Sequence, residues 1–212
     1  MDKLPKISVI TVVYNGQDFL EGTIRSVMNQ TYKHIEYLII DGKSKDKTVD
    51  IIKQYDHYIS DWITEQDKGL YDAMNKGLKM ATGDFVLFMN AGDQFADSTV
   101  LETVFSKYDA TTDVLYGEVM MVDENRQAIG TRTEITTRKL PQQLTWKSMK
   151  LGMVVCHQAF IPRRELCPFY MVDNLSADID WVIEILKKSR KNDDFSPRTP
   201  RNFPTGAPRI SI

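Results

Sequence analysis

Hydrophobic and polar positions alternate in blocks over the first half of the chain. Ile7-Ser-Val-Ile-Thr-Val-Val13 is dense and β-branched, the pattern of a strand buried on both faces, and it stops at the turn residues Tyr14-Asn15-Gly16. Over residues 18–30, Phe19, Ile24, Val27 and Met28 recur at helical spacing. Residues 35–40 predict a second strand, which ends at Asp41-Gly42, and Ser44 or Asp46 can cap a helix through Val49, Ile51 and Ile52. A weaker strand over 58–63 leads into Glu65-Gln-Asp67-Lys-Gly69, and residues 70–80 predict a helix closed by Ala81-Thr82-Gly83. The apolar run from Phe85 to Met89 then predicts a buried strand, with the small polar exit Asn90-Ala91-Gly92-Asp93.

Strands alternating with helices in this way predict a mostly parallel α/β sheet flanked by helices. Asp41, Asp67 and Asp93 each fall at or just beyond the carboxyl end of a strand, where open parallel sheets bind ligands. Gathered there, they would repel one another unless a cation or hydrogen-bond donors satisfied them. Hard oxygen ligands of this kind suit Mg²⁺ or Mn²⁺ carrying a diphosphate. Each acid alone has a plainer reading, for example Asp93 capping a helix that enters near Asp97. Taken together, they favour a nucleotide-plus-metal site.

Beyond Asp97 the rhythm changes. A helix over 98–107, a strand over 113–117, a hairpin over 118–133 turning at Asp123-Glu-Asn125, a strand over 154–161 stopped by Pro162 and a helix over 176–188 predict a smaller mixed region. The expected organisation is a single domain over 1–191, with a nucleotide-binding half (1–97) and an acceptor-side half (98–191). Residues 192–212, proline-rich and without apolar periodicity, predict an irregular tail.

Composition narrows the function classes. The 212 residues carry 27 basic and 29 acidic side chains, so nothing in the bulk charge attracts nucleic acid. Cys156 and Cys167 lack metal-type spacing, and a reducing cytoplasm fits two cysteines in a chain of this size. No signal peptide or membrane span is visible, so the expectation is a soluble cytoplasmic protein, with peripheral contact to the inner membrane left open. A dinucleotide-binding oxidoreductase is disfavoured because no G-x-G-x-x-G follows the first strand.

Several stretches in order resemble glycosyltransferase family 2 of the GT-A fold, above all its small bacterial members that build polysaccharide and lipopolysaccharide. They are Ile7 to Asn15, Ser26-Val-Met-Asn-Gln-Thr-Tyr32, Ile39 to Thr48, Glu65 to Gly77, Ala81-Thr-Gly-Asp84, Asn90 to Asp93, Cys156-His-Gln158 and Ala177-Asp-Ile-Asp-Trp181. The resemblance implies a hexosyltransferase-type, metal-dependent, inverting enzyme. It would move a sugar from a UDP- or GDP-sugar to a saccharide or lipid-linked saccharide. Val13, Tyr14 and Asn15 would line the base and ribose pocket, and Asp41 would accept from the base. Asp67, Lys68 and Gly69, with Asp72, Asn75 and Lys76 beside them, would frame the nucleotide. Asn90-Ala91-Gly92-Asp93 stands at the family's DxD-like position, with Asp93 holding Mn²⁺ or Mg²⁺. Asp178 stands where the family has its catalytic base.

Two departures stand out. Asp93 is the only carboxylate of the DxD-like segment, and Ala177 replaces the acid that usually precedes the base. They motivate an alternative, a catalytically weak nucleotide-sugar-binding partner subunit. Asp180 competes with Asp178 for the base role, although the two face different directions on a helix. His157 could bond the diphosphate, ligate metal or serve structure alone. Trp62 and Tyr71 could stack on sugar or base, and Trp146 and Trp181 could border the acceptor. Relatives continue past the Asp178 helix with further helices; the proline-rich stretch here reads as a truncated or altered end.

Overall fold

The computed structural model describes residues 4–106, 108–196 and 210–211. Strands β1 (Ile7–Val13), β2 (Ile35–Asp41), β3 (Asp61–Thr64) and β4 (Phe85–Phe88) form an all-parallel sheet in the order β3-β2-β1-β4. Helices α1 (Leu20–Met28), α2 (Thr48–Gln54) and α3 (Leu70–Met80) connect them. Both faces are covered, which is why β1 reads as an almost unbroken apolar run. Ile7, Val9 and Val13 join the core on the α1 side, while Ile10 and Val12 join the α3 side. Gly77 lets α3 lie close against β1: a Cβ there would sit 2.5 Å from Ile10 Cγ2.

Polar groups at the opposite edge are fully paired. Glu36 is buried and accepts from Lys6 Nζ (2.7 Å), Ser8 Oγ (2.6 Å) and the Thr82 backbone N–H (2.7 Å). Burial alone would raise its pKa, but these donors outweigh it and hold the carboxyl down at about 2.

The second half is mixed, as expected. It contains β5 (Gln94–Phe95), α4 (Val100–Ser106), β6 (Val114–Tyr116), β7 (Val119–Val122), β8 (Ala128–Thr131), α5 (Arg132–Ile135), β9 (Phe160–Pro162), α6 (Ala177–Lys188), β10 (Asn192–Asp194) and β11 (Ile210–Ser211). Strand β6 pairs antiparallel with β9 and parallel with β10. An antiparallel bridge between Phe85 and Arg163 links this sheet to β4. The hairpin forms between β7 and β8, and β11 pairs with β5 and β7.

Three expectations change. Residues 154–159 are not strand: the chain enters a 3-10 turn at His157–Ala159, so β9 starts later and includes Pro162. Proline is tolerated there because β9 is an edge strand of its sheet. The start of the irregular tail is instead β10, followed by a buried Phe195 packed against Gly117. Its signal is weak because Asn192-Asp-Asp194 is polar and is held by backbone pairing to β6. Residues 197–209 and 212, the rest of that predicted tail, lie outside the described residues. Finally, Asp93 bonds Gln158 rather than capping α4, and Asp97 closes the turn before that helix, accepting from the Thr99 backbone N–H (2.7 Å) and Thr99 Oγ1 (2.7 Å).

Candidate active site

The carboxyl edge of the parallel sheet carries two cavities. The larger, about 580 Å³, is lined by Tyr14, Gly42, Lys43, Ser44 and Asp67. Asn15 braces the 44–45 segment that lines it: its backbone N–H donates to Ser44 Oγ (2.8 Å), and its side-chain oxygen accepts from the Lys45 N–H (2.9 Å). Tyr14 is exposed and free to face a ligand, whereas Val13 is buried beneath it.

Asp41 lies under this cavity and does not open into it. It is fully buried, with Oδ1 accepting from Ser44 Oγ (2.5 Å) and Oδ2 from Thr64 Oγ1 (2.5 Å) and the Ser44 N–H (3.1 Å). Its position shapes the floor through Ser44. Asp67 accepts from the Gly69 N–H (2.9 Å), and Gly69 adopts a φ of 115° at the start of α3, a conformation that suits glycine. Asp72 accepts from the Lys68 N–H (3.0 Å). Lys76 donates to the Gln66 carbonyl (2.8 Å) and pairs with Glu65 at 3.1 Å, which steadies the 65–67 loop. Asn75 is turned away from the cavity: its amide brackets the Tyr170 backbone, donating to its carbonyl (2.9 Å) and accepting from its N–H (2.7 Å).

The smaller cavity, about 310 Å³, gathers residues from distant segments: Tyr71 from α3, Asn90 beyond β4, Arg132 from α5, His157 and Gln158 from the 3-10 turn, and Asp178 from α6. Asn90 Oδ1 is buried without a hydrogen-bond partner, an orphan acceptor at the end of β4. Ala91 is half-buried beside it, and its N–H reaches toward the Val12 carbonyl at 3.4 Å. Asp93 Oδ2 accepts from Gln158 Nε2 (3.0 Å). Burial pushes the Asp93 carboxyl up to about 6, against the lowering effect of hydrogen bonds from Gln158 and the Asn90 backbone and of the Arg126 charge. The unpartnered Asn90 amide oxygen and, three residues on, the Asp93 carboxyl are hard-oxygen donors of the chemistry a divalent cation takes.

The predicted convergence of three acids is corrected. Among the described residues, no group of three His, Cys, Asp or Glu side chains could hold a metal ion. The strand order explains this: β1 lies between β2 and β4, and adjacent strands stand ~4.8 Å apart. Asp93 is therefore two strands from Asp41 and further from Asp67, and Asp41 is already satisfied.

Asp178 lies in the first turn of α6, half-buried, and its Oδ1 accepts from Tyr71 Oη (3.2 Å). Asp180 instead accepts from Asn174 Nδ2 (2.6 Å), so only Asp178 among the pair lines the cavity. His157 Nε2 lies 2.7 Å from Tyr170 Oη, and burial pushes the imidazole down to about 4 despite the nearby Asp178 charge, so it is neutral at pH 7. Trp62 donates to Asp56 Oδ1 (2.6 Å) and lines neither cavity, and Trp181 is buried and donates to the Pro168 carbonyl (2.8 Å).

Nothing in the sequence pattern marks Gln158 as a partner of Asp93, and Arg132 also joins the site, donating to the Met153 (2.7 Å) and Val154 (2.9 Å) carbonyls and so fixing the approach to His157. A signal for Arg132 exists: Thr131-x-x-Glu134 is a capping box, which opens α5 at that residue.

The sheet order, the cavities at its carboxyl edge and the late helix bearing an acid define a GT-A type fold. S. aureus TarS superposes with a TM-score of 0.75 at 18% identity over 98% of this chain and 36% of that one. The mannosyltransferase PcManGT from Pyrobaculum calidifontis, in complex with GDP-Man and Mn²⁺, superposes at 0.70 with 17% identity, over 91% of this chain and 55% of that one. The chain belongs to glycosyl transferase family 2, whose family model matches residues 8–167. A PGL/p-HBAD biosynthesis glycosyltransferase of Mycobacterium bovis (strain BCG / Pasteur 1173P2) is 29% identical over 188 residues, covering 84% of this chain and 69% of that protein. The chain spans 39% of the length of another curated glycosyltransferase, from Mycobacterium tuberculosis (strain CDC 1551 / Oshkosh), to which it is 38% identical over 102 residues. Among the described residues, no helix is long and apolar enough to cross a membrane.

Proposed function

We propose that the protein is an inverting glycosyltransferase that moves a sugar from a UDP- or GDP-sugar to a saccharide or lipid-linked saccharide in bacterial cell-surface polysaccharide synthesis. The observation that carries this reading is the cavity that joins Asn90, next to Asp93, with Asp178 from a helix far along the chain. In this reading Asn90 marks the side of the leaving diphosphate and Asp178 the proton acceptor, and both line one space. Complexes of similar folds with UDP-GlcNAc and with GDP-Man and Mn²⁺ support a nucleotide-sugar donor.

In this reading the nucleoside enters the Tyr14–Asp67 cavity and the sugar points toward Asp178. Asp93 and Asn90 Oδ1 would hold Mn²⁺ or Mg²⁺, which when bound supplies Lewis-acid neutralisation of the leaving diphosphate. Asp178 accepts the proton of the acceptor hydroxyl as its oxygen attacks the anomeric carbon. Attack from the face opposite the diphosphate inverts that centre. In this reading the cavity would hold the two reactants in line, which converts an encounter into a local event. Peripheral membrane contact would follow from a lipid-linked acceptor.

A nucleotide-sugar-binding subunit of weak activity is the second reading, favoured by the single carboxylate in the 90–93 segment and by Ala177 beside Asp178. Calorimetry with UDP-GlcNAc and GDP-Man, with and without Mn²⁺, combined with measurement of nucleoside diphosphate release, separates the two. Binding with release supports the transferase, binding without release supports the subunit, and no binding of any nucleotide sugar ends both.

A further inference from the structure

We propose that Tyr71 is a positioning residue, aiming the Asp178 carboxylate at the acceptor hydroxyl and yielding once that carboxylate is protonated. The proposal rests on the reading of Asp178 as the general base. Tyr71 Oη lies 3.2 Å from Asp178 Oδ1 and 3.3 Å from the Leu175 carbonyl oxygen. A phenol has one proton and here two acceptors. An ionised carboxylate is the stronger of the two, so Asp178 takes the bond, Oδ1 is fixed and Oδ2 is left for the substrate.

The hydroxyl is held in register by a stack. The Tyr71 ring lies on Tyr170 (centroids 5.5 Å apart, planes at 17°), and Tyr170 lies on Trp181 (5.0 Å, 14°). Trp181 is three residues beyond Asp178 on α6, so the helix that presents the base also anchors the far end of the stack. Asn75 fixes the Tyr170 backbone on both its polar groups. The neighbour of Asp178 on its own helix, Ala177, is buried and has no polar side-chain atom to offer, so the support comes from α3. Burial, together with the Asp178 charge, raises the Tyr71 phenol above its ordinary value, which keeps it a donor across the neutral range.

The step balances. The acceptor O–H bond breaks and its oxygen bonds to the anomeric carbon. The bond from that carbon to the diphosphate oxygen breaks, and its electron pair leaves with the diphosphate. The acceptor's proton ends on Asp178. A neutral carboxyl attracts the Tyr71 proton less, and the Leu175 carbonyl stands ready to accept it. Asp178 then returns its proton to water as products leave.

The test is a double-mutant cycle with Tyr71→Phe and Asp178→Asn, read by nucleoside diphosphate release from UDP-GlcNAc and GDP-Man with Mn²⁺, water serving as the acceptor hydroxyl. Tyr71→Phe keeps the ring and its stacking. It should lower kcat roughly tenfold with donor KM and melting temperature unchanged, and should have no further effect in the Asp178→Asn background. An equal fall in both backgrounds, a fall accompanied by loss of donor binding or of the fold, or an unchanged kcat beside an inactive Asp178→Asn overturns the positioning role alone. Wild-type turnover in Asp178→Asn overturns the base assignment itself. A measurement independent of turnover uses protein ¹³C-labelled at tyrosine Cζ: Tyr71 should ionise at lower pH in Asp178→Asn than in wild type. Identical titration of Tyr71 in the two proteins overturns the coupling.

Discussion

Gln158 Nε2 donates a 3.0 Å hydrogen bond to Asp93 Oδ2 across 65 residues of sequence, and the Gln158 side-chain oxygen accepts from Cys156 Sγ at 3.0 Å. The late segment thereby fixes the orientation of the only carboxylate in the Asn90–Asp93 exit. Gln158 cannot present its amide the other way without setting its oxygen against Asp93.

Asp93→Asn tests the cost of keeping that acid buried. The wild-type carboxyl is raised to about 6 in the fold, above its ordinary value of 3.8, so the charged form is penalised there. The penalty is absent below roughly pH 4, grows as pH rises through about 6 and is complete above it. Asparagine should therefore stabilise the cation-free protein at pH 8 by roughly 1–3 kcal/mol and make no difference near pH 3.5. The same substitution should abolish Mn²⁺-dependent donor binding. Thermal melts across pH and calorimetry check the two halves; unchanged donor affinity would remove Asp93 from the site.

Asp178→Asn should separate binding from chemistry. Donor affinity should stay within about twofold of wild type while transfer falls roughly 10²–10⁴-fold, the usual contribution of a positioned base. Calorimetry and single-turnover transfer read these separately. A parallel loss of both would make Asp178 a donor-binding group.

Glu36→Gln should expose the polar cluster at the far edge of the sheet. The wild-type carboxyl is held down at about 2 in the fold against an ordinary 4.5. Its stabilising contribution is complete above the unfolded value and is lost as pH falls toward 2. The variant should therefore melt lower than wild type at pH 7, with the gap closing between about pH 4.5 and about 2. A gap that stays constant with pH would place the effect in shape rather than charge.

Phe195→Ala should show that the polypeptide just after α6 belongs to the core. Phe195 is 1% exposed, and its ring fills the space that a Cβ on Gly117 would occupy. Truncation should cost about 3–5 kcal/mol in denaturant unfolding, the usual range for a buried Phe. A loss below 1 kcal/mol would mean that the segment is peripheral.

The alternation of apolar runs with helical spacing determined the parallel sheet and its connections, because strands buried on both faces must be apolar and crossovers must be helical. Chain order also put Asp41, Asp67 and Asp93 beyond successive strands. It did not encode strand order, and that decided which acids meet: with β1 between β2 and β4, Asp93 parts from Asp41 and finds Gln158 instead. The family resemblance pointed to Asp178, but only the placement of α6 in the fold set it against Tyr71 and Asp180 against Asn174. The polar strand Asn192–Asp194 is likewise decided by tertiary structure: backbone pairing to β6 holds it, and such pairing leaves no side-chain pattern in the sequence.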